Sequence, residues 1–418
     1  MFFDAHMHAM SITHPNYVAF IREIESNFAE EAVSGMFSSN YIASASNASQ
    51  LLSRMQMILS LMDRSIGEIF LLIEDDLSAP FKLKNKGLFS NNPQVEQKPF
   101  IHDGAFHFNQ KPYDNLGLCP MIMDFTREKQ QISGVYTYEH EPGRLIKYID
   151  DTKEGIEYYH KVRPEGLLRF FPFLGINPAA HDLHFIEDLF SRYLITDGQQ
   201  INETQFCHGV KLYPPLDFNP WPVENPKELE KVRFIYETCM KAELPITTHC
   251  DDQGFRSIPA KTAWDYSSPK RWEEVLKHYP SLNLDFAHFG WQYRPSASLR
   301  NKTAASVRLT SSFTDTWYSQ ILKMMIKYEN VYADVSFSGA SESFYRHVVD
   351  SLKSFTVGDR KQINERIMFG SDYFLHLSKV DSYSHYFSLF EHSPFSAEQI
   401  EAFASENVLS WLSQDYDG

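Results

Sequence analysis

Eight short apolar runs recur along the 418-residue chain, and a longer stretch with helical spacing of apolar residues follows most of them. Many of the runs are apolar on both faces, as strands of a parallel sheet are when helices cover both sides. Eight strands that alternate with helices predict a fold of the α/β class, a (β/α)8 TIM barrel. The predicted strands lie in 1–8, 116–125, 167–176, 206–214, 244–251, 282–290, 330–337 and 366–373.

Three of the intervening segments carry helix signals. Residues 226–243 have apolar positions at helical spacing and a charged opposite face. Residues 268–280 begin with Ser-Pro and end at a proline, and 396–412 begin with a Ser-x-x-Gln capping pattern. These signals support the alternation that the barrel requires.

The segment 9–115 is too long for one crossover helix, and we assign it to an insertion after the first strand. It contains a ninth strand-like run, 68–76, but we favour 116–125 as the second barrel strand. The part at 77–115 is predicted to be loop-like and is a candidate lid over the site. We therefore expect 1–418 to form one barrel domain with a 9–115 insertion. The predicted lid contacts are Phe106, Phe108 and Tyr113.

Charge and composition narrow the partners. The net charge is −15, from 54 acidic residues against 39 Lys and Arg, which argues against general binding to nucleic acid or an acidic membrane. The four cysteines show no CxxC spacing, and no stretch reads as a membrane span or a secretory leader. We expect a cytoplasmic protein that acts on a small molecule.

The pair His6-x-His8 stands at the end of the first apolar run. On a strand, residues i and i+2 face the same way, so both imidazoles are expected to project together at the carboxyl end of the strand, where barrel active sites lie. By the same parity Asp4 is expected to point inward. The spacing suits two nitrogen ligands on one metal ion, although a lone pair of this kind also arises by chance.

Ligand-type residues also stand at the ends of other runs, which makes chance a poor explanation. The fourth run ends near Lys211, the fifth at His249, the sixth near His288 and the eighth at Asp372. Taken singly, each has an ordinary structural explanation, such as a helix cap for Asp372. Together they predict a metal site at one end of the barrel.

The motifs GVKLYPPLDFNPWP, LPITTHCD, LDFAHFGW and RIMFGSDY, together with His6-x-His8, resemble the amidohydrolase superfamily of metal-dependent TIM-barrel enzymes. They are most similar to its amidohydrolase-related branch, which includes hydrolases and non-oxidative decarboxylases of the aminocarboxymuconate-semialdehyde type. The resemblance covers 1–8 and 116–412 and does not extend to 9–115. It implies a fold and a metal site but not a substrate.

The resemblance also implies roles for these residues. His6, His8, His249 and Asp372 would bind a divalent ion, zinc ahead of manganese, or Asp372 would instead act mainly as the base that takes a proton from the metal-bound water. His288 would bind a second metal or assist catalysis by polarising a carbonyl or steering a proton. Lys211 would be a ligand only if carbamylated, because an ammonium has no lone pair. Otherwise it would be buried beneath the site or would bind a substrate carboxylate. We favour one ion over two.

The residues Tyr213, Asp251 and Trp291 follow strand ends and are predicted to line the substrate pocket. The expected function is hydrolysis of an amide, lactone or ester by a metal-activated water. The alternatives are metal-dependent, non-oxidative decarboxylation of an unsaturated or aromatic acid, and a barrel that binds metal or ligand without turnover. A homodimer is the expected assembly.

Overall fold

Parallel strands form a closed ring in the part of the chain that the structure describes. A computed structural model describes residues 1–11, 45–83, 95–126, 131–132, 136–137, 142–194, 206–254, 256–293 and 316–413. The eight strands of the ring are β1 Phe2–Met7, β2 Leu116–Pro120, β3 Leu168–Phe170 continued by Phe173–Ile176, β4 Gly209–Leu212, β5 Ile246–Thr248, β6 Leu284–Phe286, β7 Val331–Asp334 and β8 Ile367–Met368. Each lies inside one of the eight predicted runs.

The ring is a (β/α)8 barrel because consecutive strands pair in parallel and the last strand meets the first. From β1 to β8, each strand pairs in parallel with the next strand along the chain. A parallel bridge joins Met7 to Tyr373, and the Ala5 N–H donates to the Phe369 carbonyl at 2.9 Å. These contacts close the barrel, as predicted.

Helices follow the strands, and the predicted ones are present. In chain order the structure describes α1 Ala45–Met62, α2 Ile66–Ser78, α3 Pro142–Val162, α4 Leu183–Tyr193, α5 Pro226–Lys241, α6 Ala260–Ser267, α7 Pro269–His278, α8 Trp317–Lys327, α9 Glu342–Leu352, α10 Val357–Asn364, α11 Tyr383–Glu391, α12 Ala397–Glu401 and α13 Asn407–Trp411. Helix α12 begins with the predicted capping box, formed by Ser396 and Gln399. None of the helices in these residues combines the length and apolar character needed to cross a membrane.

The amino-terminal end of the barrel is filled by a compact apolar cluster. Phe3 of β1 packs against Phe171, and Phe173 stacks on Trp411 of α13 with ring centroids 4.9 Å apart. The C-terminal helix therefore plugs this end with side chains too large to leave a channel. The opposite end, at the carboxyl ends of the strands, is left for polar residues.

The segment between β1 and β2 differs from the sequence prediction. The strand-like run 68–76 is wrong as a strand, because it lies in helix α2. Its buried residues repeat at helical spacing, and Ser65 and Glu68 form a capping box at its start. The choice of 116–125 as the second strand is confirmed.

The predicted loop at 77–115 contains short antiparallel strands in its described residues. These are Phe81–Leu83 with Val95–Gln97, and Ile101–His102, Ala105–Phe108 and Lys111–Tyr113. Phe106, Phe108 and Tyr113 pack against Phe2 at the start of β1, at the end of the strand remote from His6 and His8. Their predicted role as lid contacts is therefore wrong.

A bulge in β1 changes the direction of its side chains. Phe2, Phe3 and Asp4 are in register with β2, but the register shifts before Met7. Asp4 accepts hydrogen bonds from the Tyr383 hydroxyl of α11, at 2.6 Å, and from the Ser371 N–H. Asp4 therefore faces the helix layer, and its predicted inward orientation is wrong because strand parity does not hold across a bulge.

Candidate metal centre

Most of the predicted site residues lie together at the carboxyl ends of the strands. They are buried, and they come from β1 and the residue just after it, from β4, and from the loops after β5, β6 and β8. These residues are His6, His8, Lys211, His249, His288 and Asp372. The structure adds Asp334 at the end of β7, which the sequence analysis did not single out.

Hydrogen bonds fix which nitrogen of His6 and His8 carries the proton. His6 Nδ1 lies 2.8 Å from Asp334 Oδ2, and His8 Nδ1 lies 2.9 Å from the Met121 carbonyl oxygen. Both partners are acceptors, so each neutral imidazole holds its proton on Nδ1. Each Nε2 then presents a lone pair, an arrangement that orients histidines for metal binding.

Those lone pairs converge on Asp372. Its Oδ1 lies 3.2 Å from His8 Nε2 and 3.8 Å from His6 Nε2. Within the described residues, no hydrogen bond reaches this oxygen atom. Burial would raise the pKa of Asp372, but the imidazoles of His8 and His288 outweigh it and hold the pKa below its ordinary value. A bound cation would stabilise a buried, ionised carboxylate that faces two nitrogen lone pairs.

The three atoms fit a divalent cation. One nitrogen of His6, one of His8 and one oxygen of Asp372 lie within 4.8 Å of one another. This is the mixed imidazole and carboxylate set that zinc and similar ions bind. We refer to His6, His8 and Asp372 as the metal group.

A second group, His6 with His288 and Asp334, is equally compact. Its atoms are already joined by hydrogen bonds, because Asp334 accepts from His6 and the Ser336 hydroxyl lies 2.9 Å from His288 Nδ1. Nδ1 of His6 and Nδ1 of His288 thus already have hydrogen-bond partners, in Asp334 and Ser336. His6 belongs to both groups, and because Asp334 faces its Nδ1, its Nε2 is the nitrogen that can face a metal ion.

Lys211 lies within the site. Its Nζ is 3.1 Å from His6 Nε2, where it donates into the lone pair that a metal would take. Burial lowers the pKa of Lys211 to about 8, against the opposing effect of Asp334 and Asp372. Burial and the Lys211 charge together lower the pKa of His6 to about 3. His6 is therefore neutral at pH 7, as a metal ligand must be.

His249 lies near the metal group but outside it. Its ring centroid is 5.0 Å from that of His288, and its Nε2 faces Asp251 Oδ1 at 3.0 Å and the Gln253 carbonyl oxygen at 3.1 Å. Two acceptors at Nε2 place the proton there in the neutral ring. His249 could therefore offer a metal only its Nδ1.

The loops after β6 and β8 hold their site residues in a strained backbone. His288 and Asp372 have φ angles of 62° and 58°, in the left-handed region that costs about 1–3 kcal/mol for residues other than glycine. The N–H of His288 is fixed by Asp334 Oδ1 at 3.0 Å, and that of Asp372 by the His6 carbonyl at 2.7 Å. These hydrogen bonds fix the backbone positions from which the side chains of His288 and Asp372 project.

Asp334 connects three parts of the site. It binds His6 through Oδ2, the backbone of His288 through Oδ1, and the N–H of Ser336 at 2.9 Å. Asp285 of the neighbouring strand β6 interacts with it. Burial and the charge of Asp334 together raise the pKa of Asp285 well above its ordinary value. The signal that could have revealed Asp334 is an acidic residue inside the seventh run, which is otherwise largely apolar.

The three predicted substrate residues have different surroundings. Tyr213 packs against His249 with ring centroids 4.4 Å apart and the rings tilted by 32°, and Asp251 contacts His249 as described above. Trp291 instead packs against Tyr318 of α8 and Phe344 of α9, in the helix layer. We therefore leave Trp291 out of the proposed site.

A parallel barrel with buried imidazoles and a carboxylate at the carboxyl ends of its strands has the architecture of a metal-dependent TIM-barrel enzyme. The family comparison agrees with this class. The model of the amidohydrolase family matches residues 202–409, and over these residues the chain belongs to that family. The chain is thus an enzyme of the amidohydrolase superfamily, as the motifs indicated.

Solved structures similar to the chain include two decarboxylases and a hydrolase. 5-Carboxyvanillate decarboxylase from Novosphingobium aromaticivorans, complexed with manganese, is 13% identical with a TM-score of 0.41, over 72% of this chain and 76% of that one. For 2,6-dihydroxybenzoate decarboxylase from Rhizobium the values are 13% and 0.37, over 72% and 84%. A probable 2-pyrone-4,6-dicarboxylic acid hydrolase from Acinetobacter baumannii gives 12% and 0.39, over 70% and 97%. Similarity at this level does not bear on the substrate, and no curated protein matches the chain.

Proposed function

We propose that the chain is a metal-dependent hydrolase that uses a metal-activated water on an amide, a lactone or an ester. The observation that carries the proposal is the convergence of His6 Nε2, His8 Nε2 and Asp372 Oδ1, with the ring protons of both histidines held at Nδ1. A divalent ion bound there supplies a Lewis acid for a substrate oxygen and lowers the pKa of a water molecule to about 7.

The proposed ion is zinc, one per chain, with manganese as the alternative. Imidazole nitrogens suit zinc well, and two of the three donors are imidazoles. His249 is proposed to join as a further ligand through Nδ1 after a small movement. Lys211 is proposed to remain unmodified, because its ammonium already has His6, Asp334 and Asp372 around it.

Asp372 and His288 are proposed as the catalytic residues. Asp372 is ionised at neutral pH, because its pKa is held below the ordinary value, and can accept a proton from the attacking water. It can then pass the proton to the leaving group. Burial lowers the pKa of His288, so a neutral imidazole faces the site and can hydrogen-bond to the substrate.

Decarboxylation of an unsaturated or aromatic acid is the second candidate function. The observation that favours it is the buried ammonium of Lys211 beside the metal group, since a carboxylate substrate needs a positive partner. In this reaction Asp372 or His288 would first take up a proton from solvent and then deliver it to the carbon atom that loses carbon dioxide. Both candidates use the same residues.

The first experiment measures bound metal per chain, together with the dissociation constants of zinc and manganese. We expect about one ion per chain and a loss of binding in His8→Ala. His184→Ala is the matched control, because His184 is 94% exposed and lies on helix α4. Carbon NMR with labelled bicarbonate checks for a carbamate on Lys211.

Two results would overturn the metal-site proposal. One is protein that binds neither zinc nor manganese, and the other is unchanged metal affinity in His8→Ala. A screen of the metal-loaded protein then separates the reactions, since hydrolysis of a lactone, ester or amide yields an acid and decarboxylation releases carbon dioxide. Turnover in only one arm of the screen selects that function.

A further inference from the structure

A buried aspartate, Asp4, joins the strand that carries His6 to the loop that carries Asp372. Its side chain is fully buried. Its Oδ1 accepts the His6 N–H at 3.1 Å and the Ser371 N–H at 2.8 Å. Its Oδ2 accepts from the hydroxyl of Ser371 and, at 2.6 Å, from that of Tyr383. One carboxyl group therefore binds the backbone of one member of the metal group and the residue next to another.

Regular strand pairing is limited at the junction between β1 and β8, where Asp4 lies. Strand β8 is two residues long, and the register of β1 shifts at its bulge. Beyond β8 the N–H groups of Ser371 and Asp372 both point at the His6 carbonyl oxygen, at 3.1 and 2.7 Å. The Asp4 carboxyl group gives Ser371 a second acceptor, so a side chain continues the connection that the strand ladder does not.

The two segments also approach each other closely. A Cβ atom added at Gly370 would lie 2.9 Å from His6 Cβ and 3.2 Å from Ser336 Cβ. The Tyr386 hydroxyl donates to the Gly370 carbonyl at 3.0 Å, from the helix layer. The loop after β8 is thus packed directly against His6, and a displacement of this loop would change the distance from Asp372 to His6.

The backbone of Asp372 needs such support. Its φ of 58° is strained for a residue other than glycine, and strained residues persist only where surrounding contacts hold them. Asp4 supplies two of those contacts through the N–H and the hydroxyl of Ser371, the residue before Asp372. Tyr383 of helix α11 in turn holds the Asp4 carboxyl group.

These contacts do not depend on the charge of Asp4. Burial raises the pKa of Asp4 to about 7, against the lowering effect of the hydrogen bonds from Ser371 and Tyr383. Oδ1 can accept two backbone N–H groups whether or not Oδ2 carries a proton, because the two hydroxyls at Oδ2 can accept as well as donate. The side-chain oxygen of an asparagine could accept the same two N–H groups.

We propose that Asp4 is a positioning residue that holds His6 and Asp372 in the relative position in which they bind a metal ion. It acts through the N–H groups of His6 and Ser371 and is not itself a ligand. This inference rests on the proposed function, because it concerns the geometry of the metal group.

The test measures two properties of the full chain with Asp4→Ala or Asp4→Asn. The first is hydrogen exchange of the segment that contains Ser371 and Asp372, followed by mass spectrometry on metal-free protein. The second is the dissociation constant of zinc, together with the visible absorption spectrum of the cobalt(II)-loaded protein, which depends on the number and geometry of the ligands.

Two further variants serve as a control and as a second test. Asp124→Ala is the matched control, because Asp124 is also buried and accepts the N–H groups of Thr126 and Asn177, at 2.9 and 2.8 Å. Tyr383→Phe removes one donor to Asp4 and keeps the ring, so it tests the contact even if Asp4→Ala does not fold.

The tyrosine variant has its own control. In Tyr236→Phe another buried hydroxyl is lost, one that donates to the Pro220 carbonyl at 2.9 Å.

We expect Asp4→Ala to raise the zinc dissociation constant about 10- to 100-fold, the usual effect of removing a residue that orients a ligand. Its segment should exchange about 10-fold faster or more, and its cobalt spectrum should differ from that of the wild type. Asp4→Asn should restore most of each property. Tyr383→Phe should weaken zinc binding about 2- to 10-fold, and Asp124→Ala and Tyr236→Phe should keep the affinity and the spectrum of the wild type.

Several results would overturn the inference. These are an unchanged zinc affinity and spectrum in Asp4→Ala, an equal loss in Asp124→Ala, and an Asp4→Asn variant that binds zinc as weakly as Asp4→Ala. If Asp4→Ala does not fold, equal zinc affinities in Tyr383→Phe and Tyr236→Phe would overturn it. If the wild type binds neither zinc nor cobalt, the proposed function fails, and hydrogen exchange alone then decides whether Asp4 orders the loop after β8.

Discussion

Replacement of Asp334 by asparagine tests how the site controls His6. Asp334 Oδ1 accepts the N–H groups of His288 and Ser336, at 3.0 and 2.9 Å, and Oδ2 faces His6 Nδ1 at 2.8 Å. In Asp334→Asn the side-chain oxygen must stay with the two backbone donors, so the amide NH₂ faces His6. The amide N–H of the new asparagine then faces the Nδ1–H of His6, and both are donors. His6 must therefore move its proton to Nε2. The metal group would lose one lone pair.

The size of the effect follows from the bond that is lost. Burial would raise the pKa of Asp334, but His6 outweighs it and lowers the pKa, so the aspartate is ionised at neutral pH. A hydrogen bond to a charged group contributes about 1.5–3 kcal/mol. Since 1.4 kcal/mol corresponds to a tenfold change, we expect the zinc dissociation constant of Asp334→Asn to rise about 10- to 100-fold.

The assay is a zinc titration in competition with a chelator, with urea unfolding of the metal-free protein alongside. Asp124→Asn is the matched control, because Asp124 Oδ2 lies 2.7 Å from His181 Nε2 in another buried pair. The control should lose stability but keep the zinc affinity of the wild type. Unchanged zinc affinity in Asp334→Asn, or an equal fall in Asp124→Asn, would refute the reasoning.

Three further variants test other parts of the chain. Replacing both His6 and His8 by alanine should abolish metal retention, measured by elemental analysis, while circular dichroism still shows a folded barrel. Gly254→Ala should weaken zinc binding and lower the unfolding free energy by about 1–3 kcal/mol in urea, because Gly254 has a φ of 88° and an added Cβ would collide with the Tyr213 hydroxyl. Burial lowers the pKa of His208 to about 4 from 6.5. Its contribution to stability is complete above pH 6.5 and is lost as the pH falls toward 4, by about 3 kcal/mol at most. His208→Gln should therefore show a shallower fall in unfolding free energy between pH 7 and pH 4.

The barrel could be predicted from the sequence because a buried parallel strand has a strong local signal. Each barrel strand, from Phe2–Met7 to Ile367–Met368, lies in a predicted run, and many of these runs are apolar on both faces. The sequence also shows approximately where each strand ends, and His249 and His288 do follow the ends of β5 and β6. The ends of parallel strands meet at one end of the barrel, so placement along the chain gave proximity in space.

The same reasoning failed where local composition and periodicity disagree. The run 68–76 is apolar enough for a strand, yet its buried residues Ile66, Ile69, Phe70 and Ile73 repeat every three to four positions. The capping pair Ser65 and Glu68 was visible in the sequence and marks a helix start. The helical spacing of the apolar residues and the capping box together are better evidence than apolar content alone, because they depend on the geometry that the backbone adopts.

What the sequence could not supply is the choice of atom within each ligand. His6 and His8 are one motif, yet their Nδ1 protons are fixed by Asp334 of β7 and by the Met121 carbonyl after β2. These partners are 328 and 113 residues away along the chain. In His249 the acceptors lie at Nε2 instead, because the loop after β5 turns back onto the ring. Residue types at strand ends therefore define a candidate metal site, but neighbouring strands decide which lone pairs face it, and metal affinity depends on those neighbours as much as on the motif.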